Sequence, residues 1–242
     1  MIELTLSTIL LTAAIFFLAA FTRATVGFGD ALLAMPLLSL VAGVRVAAPL
    51  FALVGLVYTA VFLSKSWRDI QFRAAGRLIL ASACGIPLGL WLVNIAPERL
   101  ILGLLGVLLI LFGLYNLFTP RLPTLRHPQL IYAFGFVSGI LSGAYNTNGP
   151  PIVMYGILSR WTPDQFRATL QAYFLPVGLL TAIGHGVAGM WSVNLFQLAA
   201  IATPVALLAL YSGSKMHHHI PAALFGRLVY LFLVAIGIFL LW

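Results

Sequence analysis

The 242 residues are 62% hydrophobic and only 7% charged, with a mean hydropathy of +1.08. A soluble domain covers itself with about 25% charged residues, so this composition excludes a water-soluble globule and makes lipid the main solvent of the chain. The net charge of +8 does not mark a nucleic-acid binder, because the basic residues fall in short loops between apolar runs rather than in a stripe interleaved with aromatics.

Taken in order, residues 4–22 are apolar, with no basic stretch before them and no small-residue cleavage site after them, and read as a retained membrane helix. Arg23 to Asp30 then breaks the pattern, and a shorter apolar piece, 31–43, follows. Stretches 46–64, 74–94 and 99–118 each have the about 20 apolar residues that a spanning helix needs. Residues 119–128 are polar and proline-bearing, a linker. Residues 129–145 are apolar, Asn146 to Pro151 breaks them, and a still shorter piece, 152–159, follows. Further spans are expected over 168–190, 194–213 and 221–242, with kinks at Pro87, Pro176 and Pro204. Cys84, the single cysteine, sits in an apolar run and reads as a packing residue.

The two helix–break–half-helix regions point to an internal repeat. An offset of 120 places Gly29 on Gly149 and Ser39 on Ser159; an offset of 124 places Trp67 on Trp191, Phe72 on Phe196, Gly89 on Gly213, Pro97 on Pro221 and Gly113 on Gly237. The expected organisation is an N-terminal repeat 1–118, a cytoplasmic linker 119–128 and a C-terminal repeat 129–242. Loop 65–77 carries Lys65, Arg68, Arg73 and Arg77, which places it in the cytoplasm, whereas its counterpart 189–194 carries no charge. Parallel halves of four plain crossings each are the alternative and leave that contrast unexplained. With the linker (Arg121, Arg126) and the loop 160–167 (Arg160, Arg167) also cytoplasmic, the assignments agree only if each broken segment returns to the side it entered from. Each half is then a broken-helix hairpin plus three transmembrane helices. An odd number of crossings repeated in tandem gives two inverted-topology repeats in an all-α membrane protein, with both termini external.

Breaks of this kind expose backbone N–H groups and helix starts at membrane depth, where they can hold an anion. The candidate substrate-binding residues are Arg23, Gly27 and Gly29 in the first break, Asn146, Thr147, Asn148 and Gly149 in the second, and Gln171 on the helix that follows. Asp30 and His185 are candidate proton carriers, Asp30 alternatively an arginine partner or helix cap and His185 alternatively a neutral ring on a backbone carbonyl. Arg23 is either an anion ligand or a side chain snorkelling to the surface. Gln171, Gly178 and His185 share one helix face at seven-residue spacing. The run His217-His218-His219 lies in a loop, and neighbouring histidines diverge on a helix, so no metal site and no cofactor are expected. There is no Walker loop, HExxH or GxSxG, and five acidic residues in all leave little to build a carboxylate pair, so an enzyme is not expected.

The stretches GFGDALLAMP (27–36) and GILSGAYNTNGPPIVMY (139–155), with a looser small-x-x-x-Gly-x-Lys at 209–215, resemble the TauE/SafE sulfite exporter family along essentially the whole chain. Asp30 stands where the resemblance implies glycine. The resemblance implies export of sulfite, sulfoacetate or a related small anion, driven by an ion gradient or the membrane potential. The expectation is therefore a multi-pass secondary transporter of a bacterial inner membrane, working by alternating access, monomer or homodimer, its partners a small anion and the bilayer. An uncoupled channel and a non-transporting assembly factor share the composition and stand as alternatives.

Overall fold

A chain with so few charges must satisfy its backbone polar groups internally, and helices do so within each segment. The computed structural model describes residues 5–26, 29–63, 69–118, 127, 129–216 and 222–241, and among them no strand occurs. The helices are α1 Leu6–Val26, α2 Asp30–Ala42, α3 Val44–Leu63, α4 Phe72–Ile95, α5 Glu98–Phe118, α6 Leu130–Tyr145, α7 Gly149–Leu158, α8 Pro163–Val187, α9 Val193–Met216 and α10 Ala222–Leu241. Six of them, α1, α3, α4, α5, α8 and α9, are long and apolar enough to cross a membrane. The half-helices α2 and α7 are too short to do so.

Two helix ends differ from the sequence expectation by more than a turn. Helix α1 does not stop before Arg23 but runs to Val26, so Arg23 lies in its last turn and the first break shrinks. The Thr22 and Thr25 hydroxyls donate to the carbonyls of Leu18 and Phe21, one turn back, and so find their partners inside the helix. Helix α8 starts at Pro163 rather than 168, because Thr162 and Gln165 form a reciprocal capping box and Pro163 suits the first turn. The loop expected over 160–167 is correspondingly shorter, and Arg167 is helical.

The chain forms two compact units, each drawing on both sequence halves: Met1–Phe51, Ile95–Arg121 and Ser192–Trp242 in one, Ala52–Asn94 and Leu122–Trp191 in the other. In the first unit, α1 and α2 form a hairpin of which α1 packs on α9, with Gly213 seated against Phe21 and Ala24. Gly43 takes a left-handed φ of 75° to turn α2 into α3, and Glu98 accepts the Val44 N–H at 3.0 Å, capping that new start. Helices α5 and α10 run antiparallel through glycines: Gly106 meets Gly237 and Leu241, while Gly113 meets Tyr230 and Val234.

In the second unit, α6 lies in the same direction as α4 at backbone contact. Gly135, Gly139 and Gly143 face Leu78, Ser82 and Ile86 in turn, and Gly85 and Gly89 of α4 face α6. Small residues every fourth position allow that approach, which in lipid rests on dispersion and close packing. Around Gly156 of α7 the Trp161 and Phe166 rings close in, and Tyr155 stacks edge-on against Trp161.

The packing repeats across the two units in the sequence register. Gly89 touches Ala144 and Gly213 touches Ala24. The glycines are 124 apart and the alanines 120 apart, the two offsets seen in the sequence. Of the matched residues, Trp67 and Pro221 lie outside the described ones, as do Lys65, Arg68, Arg121, Arg126 and the histidine run.

Candidate functional site

The second break is built on Asn146. Ending α6 requires a left-handed residue, and Asn146 supplies it with φ 53°; its N–H donates to the Ser142 carbonyl at 2.8 Å, and the Thr147 N–H reaches the Leu141 carbonyl at 3.2 Å. The Thr147 hydroxyl donates to the Tyr145 carbonyl. Asn148 is held twice by α6: its carbonyl accepts from Ser138 at 2.5 Å, and its Nδ2 donates to Ser142 at 3.2 Å. Thr147 is fully buried, and Asn146 and Asn148 nearly so.

Helix α8 supports these serines from behind. Tyr173 donates to Ser138 at 2.8 Å and pairs with Ser82 of α4 at 2.7 Å, and Ser82 in turn donates to the Gly135 carbonyl. Two turns on, Thr181 pairs with Ser142 at 2.7 Å. One turn further, His185 lies 3.2 Å by Nε2 from the Gly143 carbonyl. A carbonyl only accepts, so Nε2 carries the proton there and Nδ1 is a buried acceptor without a partner. All of these hydroxyls and the ring are fully buried.

Two features of this break remain open to a ligand. The first N–H groups of a helix have no intrahelical acceptor, and Pro150 and Pro151 have none to offer, which leaves those of Asn148 and Gly149. Space lies over Gly149, where an added Cβ would meet nothing nearer than the Phe174 ring at 3.9 Å. Tyr145, the last residue of α6, is 2% exposed, and its hydroxyl has no hydrogen-bond partner.

The first break is arranged differently. Arg23 and Asp30, both buried, form an ion pair with Nη1 2.6 Å from Oδ2. Gly29 caps α2 with a left-handed φ of 96°, and Asp30 is the first residue of the helix. Its carboxylate thus sits at the positive end of α2, where an incoming anion would otherwise be favoured. Gly27 lies outside the described residues.

A family profile described as sulfite exporter TauE/SafE matches residues 12–240. The chain belongs to the TauE/SafE family. Two curated relatives agree with it. A probable inner membrane transporter protein TsaS of Comamonas testosteroni is 26% identical over 185 residues, 72% of this chain and 73% of its own. A probable sulfite/organosulfonate exporter TauE of Cupriavidus necator is 24% identical over 217 residues, 87% of this chain and 85% of its own. No solved structure gives a significant match. A TauE/SafE protein is a membrane transporter and not an enzyme.

Within this TauE/SafE chain, Asn146, Thr147, Asn148 and Gly149 come together in one break, and Arg23, Asp30 and Gly29 in the other. Gln171 is fully buried. On α8, Tyr173, Thr181 and His185 hydrogen-bond to α4 and α6, and Gly178 packs on Leu56 of α3. Sequence reasoning missed Ser82, Ser138, Ser142, Tyr173 and Thr181. The signal available was spacing: Ser138 and Ser142 are one turn apart, and Thr181 and His185 likewise. Among the described residues no group of metal-ligating side chains forms a site.

Proposed function

We propose that this protein is a secondary transporter that exports a small sulfur-containing anion, sulfite or an organosulfonate, across a bacterial inner membrane. The α6–α7 break is its substrate site. The observation that carries this reading is the combination of an uncovered helix start at Gly149 with the buried, unpartnered Tyr145 hydroxyl. Both offer donors, which suits a desolvated oxyanion. Asn148 and Asn146 shape the tip. Arg23 belongs to the first break as a guanidinium already neutralised by Asp30, so an anion ligand there competes with that carboxylate.

Transport runs by alternating access between inverted repeats, coupled to an ion gradient, with both termini external. Three facts support the inversion. Helices α5 and α10 are 124 residues apart in register, they pack antiparallel, and their contacts are reciprocal: Gly113 meets Tyr230 while Gly237 meets Gly106. Reciprocal contacts between repeat-related helices are the mark of a two-fold relation.

Sulfite at a hundredfold excess over its dissociation constant is expected to stabilise the folded protein by about 2.7 kcal/mol and raise its unfolding temperature by several degrees. Sulfoacetate, sulfate and small carboxylates rank the site's preference in the same assay. Gly149→Ala places a methyl group where only the Phe174 ring is near, so the fold survives and the sulfite response disappears. A full response in Gly149→Ala places the anion elsewhere. Proteoliposomes that concentrate sulfite only under a proton or sodium gradient establish coupling; simple equilibration makes the protein a channel.

A further inference from the structure

Four hydrogen-bond contacts link α4, α8 and the second break in one line: Gly135 carbonyl to Ser82 at 2.7 Å, Ser82 to Tyr173 at 2.7 Å, Tyr173 to Ser138 at 2.8 Å, and Ser138 to the Asn148 carbonyl at 2.5 Å. Both ends of the line are carbonyls, which only accept. The three members between them are hydroxyls, each with one proton. Three protons therefore serve four contacts, and one contact is always without a hydrogen. The line is buried: Ser82, Ser138 and Tyr173 are each 0% exposed. An oxygen pair at such a distance with no proton between them is repulsive, so the vacancy opens one contact at a time.

Hydroxyl rotation moves that vacancy. With Ser82 donating to Gly135 and Tyr173 to Ser138, the vacancy lies between Ser82 and Tyr173, and Ser138 holds the Asn148 carbonyl. With Tyr173 turned to Ser82 and Ser138 turned to Tyr173, the vacancy lies at Asn148, whose carbonyl comes free of α6 while its Nδ2 stays on Ser142. We propose that Ser82, Tyr173 and Ser138 are positioning residues whose movable vacancy alternately holds and frees the Asn148 carbonyl, and that this release sets the turnover of the transporter. The inference rests on the reading of the α6–α7 break as the substrate site.

Removing either of two hydroxyls abolishes the vacancy. In Tyr173→Phe, Ser82 keeps Gly135 and Ser138 keeps Asn148, two protons for two contacts. In Ser82→Ala, Tyr173 donates to Ser138 and Ser138 to Asn148, again complete. Both variants hold the break permanently. Sulfite flux through full-length protein in proteoliposomes is expected to fall about tenfold in maximal rate in each, with KM within about twofold of the parent. The unfolding temperature does not fall, and amide exchange over residues 146–149 slows. Ser138→Ala does the opposite, speeding exchange there. Parental flux and unchanged exchange in both Tyr173→Phe and Ser82→Ala overturn the proposal, as does a rate loss matched by a lower unfolding temperature. If the parent itself moves no sulfite, the substrate reading fails, and the exchange rates of the two variants alone decide for or against the latch.

Discussion

Asp30→Ala is expected to lower the unfolding temperature more than loss of any exposed charge, by an amount corresponding to about 3–5 kcal/mol. The reason is the guanidinium it leaves behind. Arg23 is 3% exposed in the last turn of α1, and its Nη1 lies 2.6 Å from the Asp30 carboxylate. Removing the carboxylate takes the counter-charge from a buried guanidinium, where desolvation is costly. Arg23→Ala is the milder change. The carboxylate that loses its counter-charge is on the first residue of α2, and the positive end of that helix offsets part of the cost, by about 0.3–1 kcal/mol. The double variant has neither charge and is expected to unfold above either single variant. Thermal unfolding of the four proteins in one detergent checks this order. Additive losses would mean that the two side chains are not coupled.

Helix–break–half–helix was legible in the sequence because lipid imposes a strict length on apolar runs, and the glycine and proline clusters at 27–30 and 146–151 interrupt those runs visibly. Helix ends were less legible. An arginine in an apolar chain reads as the end of a helix, yet Arg23 is tolerated within α1 because Asp30 returns to meet it seven residues on. The start of α8 was marked by Thr162-Pro-Asp-Gln165, a capping signature that the surrounding charges obscured.

The site was half legible. Asn146, Thr147 and Asn148 stand out because amides are rare in membrane helices, and the structure explains Asn146 by the left-handed conformation that ends α6. The hydroxyls behind them did not stand out. A serine in an apolar helix has the same appearance whether it packs or bonds, and the partners here are 35 to 91 residues away in the chain. Only the fold brings Ser82, Ser138 and Tyr173 into line, so their collective proton count cannot be read from local pattern. The exchange of partners between halves was hidden for a similar reason. The offsets point to a duplication, while the compact units are each assembled from pieces of both sequence halves.

Gly139→Ala is expected to be as disruptive as the loss of Asp30, although it adds one methyl group. A Cβ at Gly139 would meet the Ser82 carbonyl oxygen and lie 2.7 Å from the Ser82 Cα and 2.8 Å from its carbonyl carbon. All three are backbone atoms of α4, so no side chain can rotate away, and the two helices must separate. Overpacking of this kind costs about 1–3 kcal/mol even where the surroundings yield somewhat. Separation also pulls Ser82 from Tyr173 and from the Gly135 carbonyl, leaving buried hydroxyls unsatisfied. Gly103→Ala supplies the control, since nothing lies within 4 Å of that position and α5 is helical there. Alanine at such a site favours the helix by about 0.5–1 kcal/mol, so Gly103→Ala should unfold at or above the parental temperature while Gly139→Ala unfolds well below it. Equal behaviour of the two would mean that α4 and α6 do not meet at backbone contact, and the serine ladder that holds Asn148 would lose its foundation.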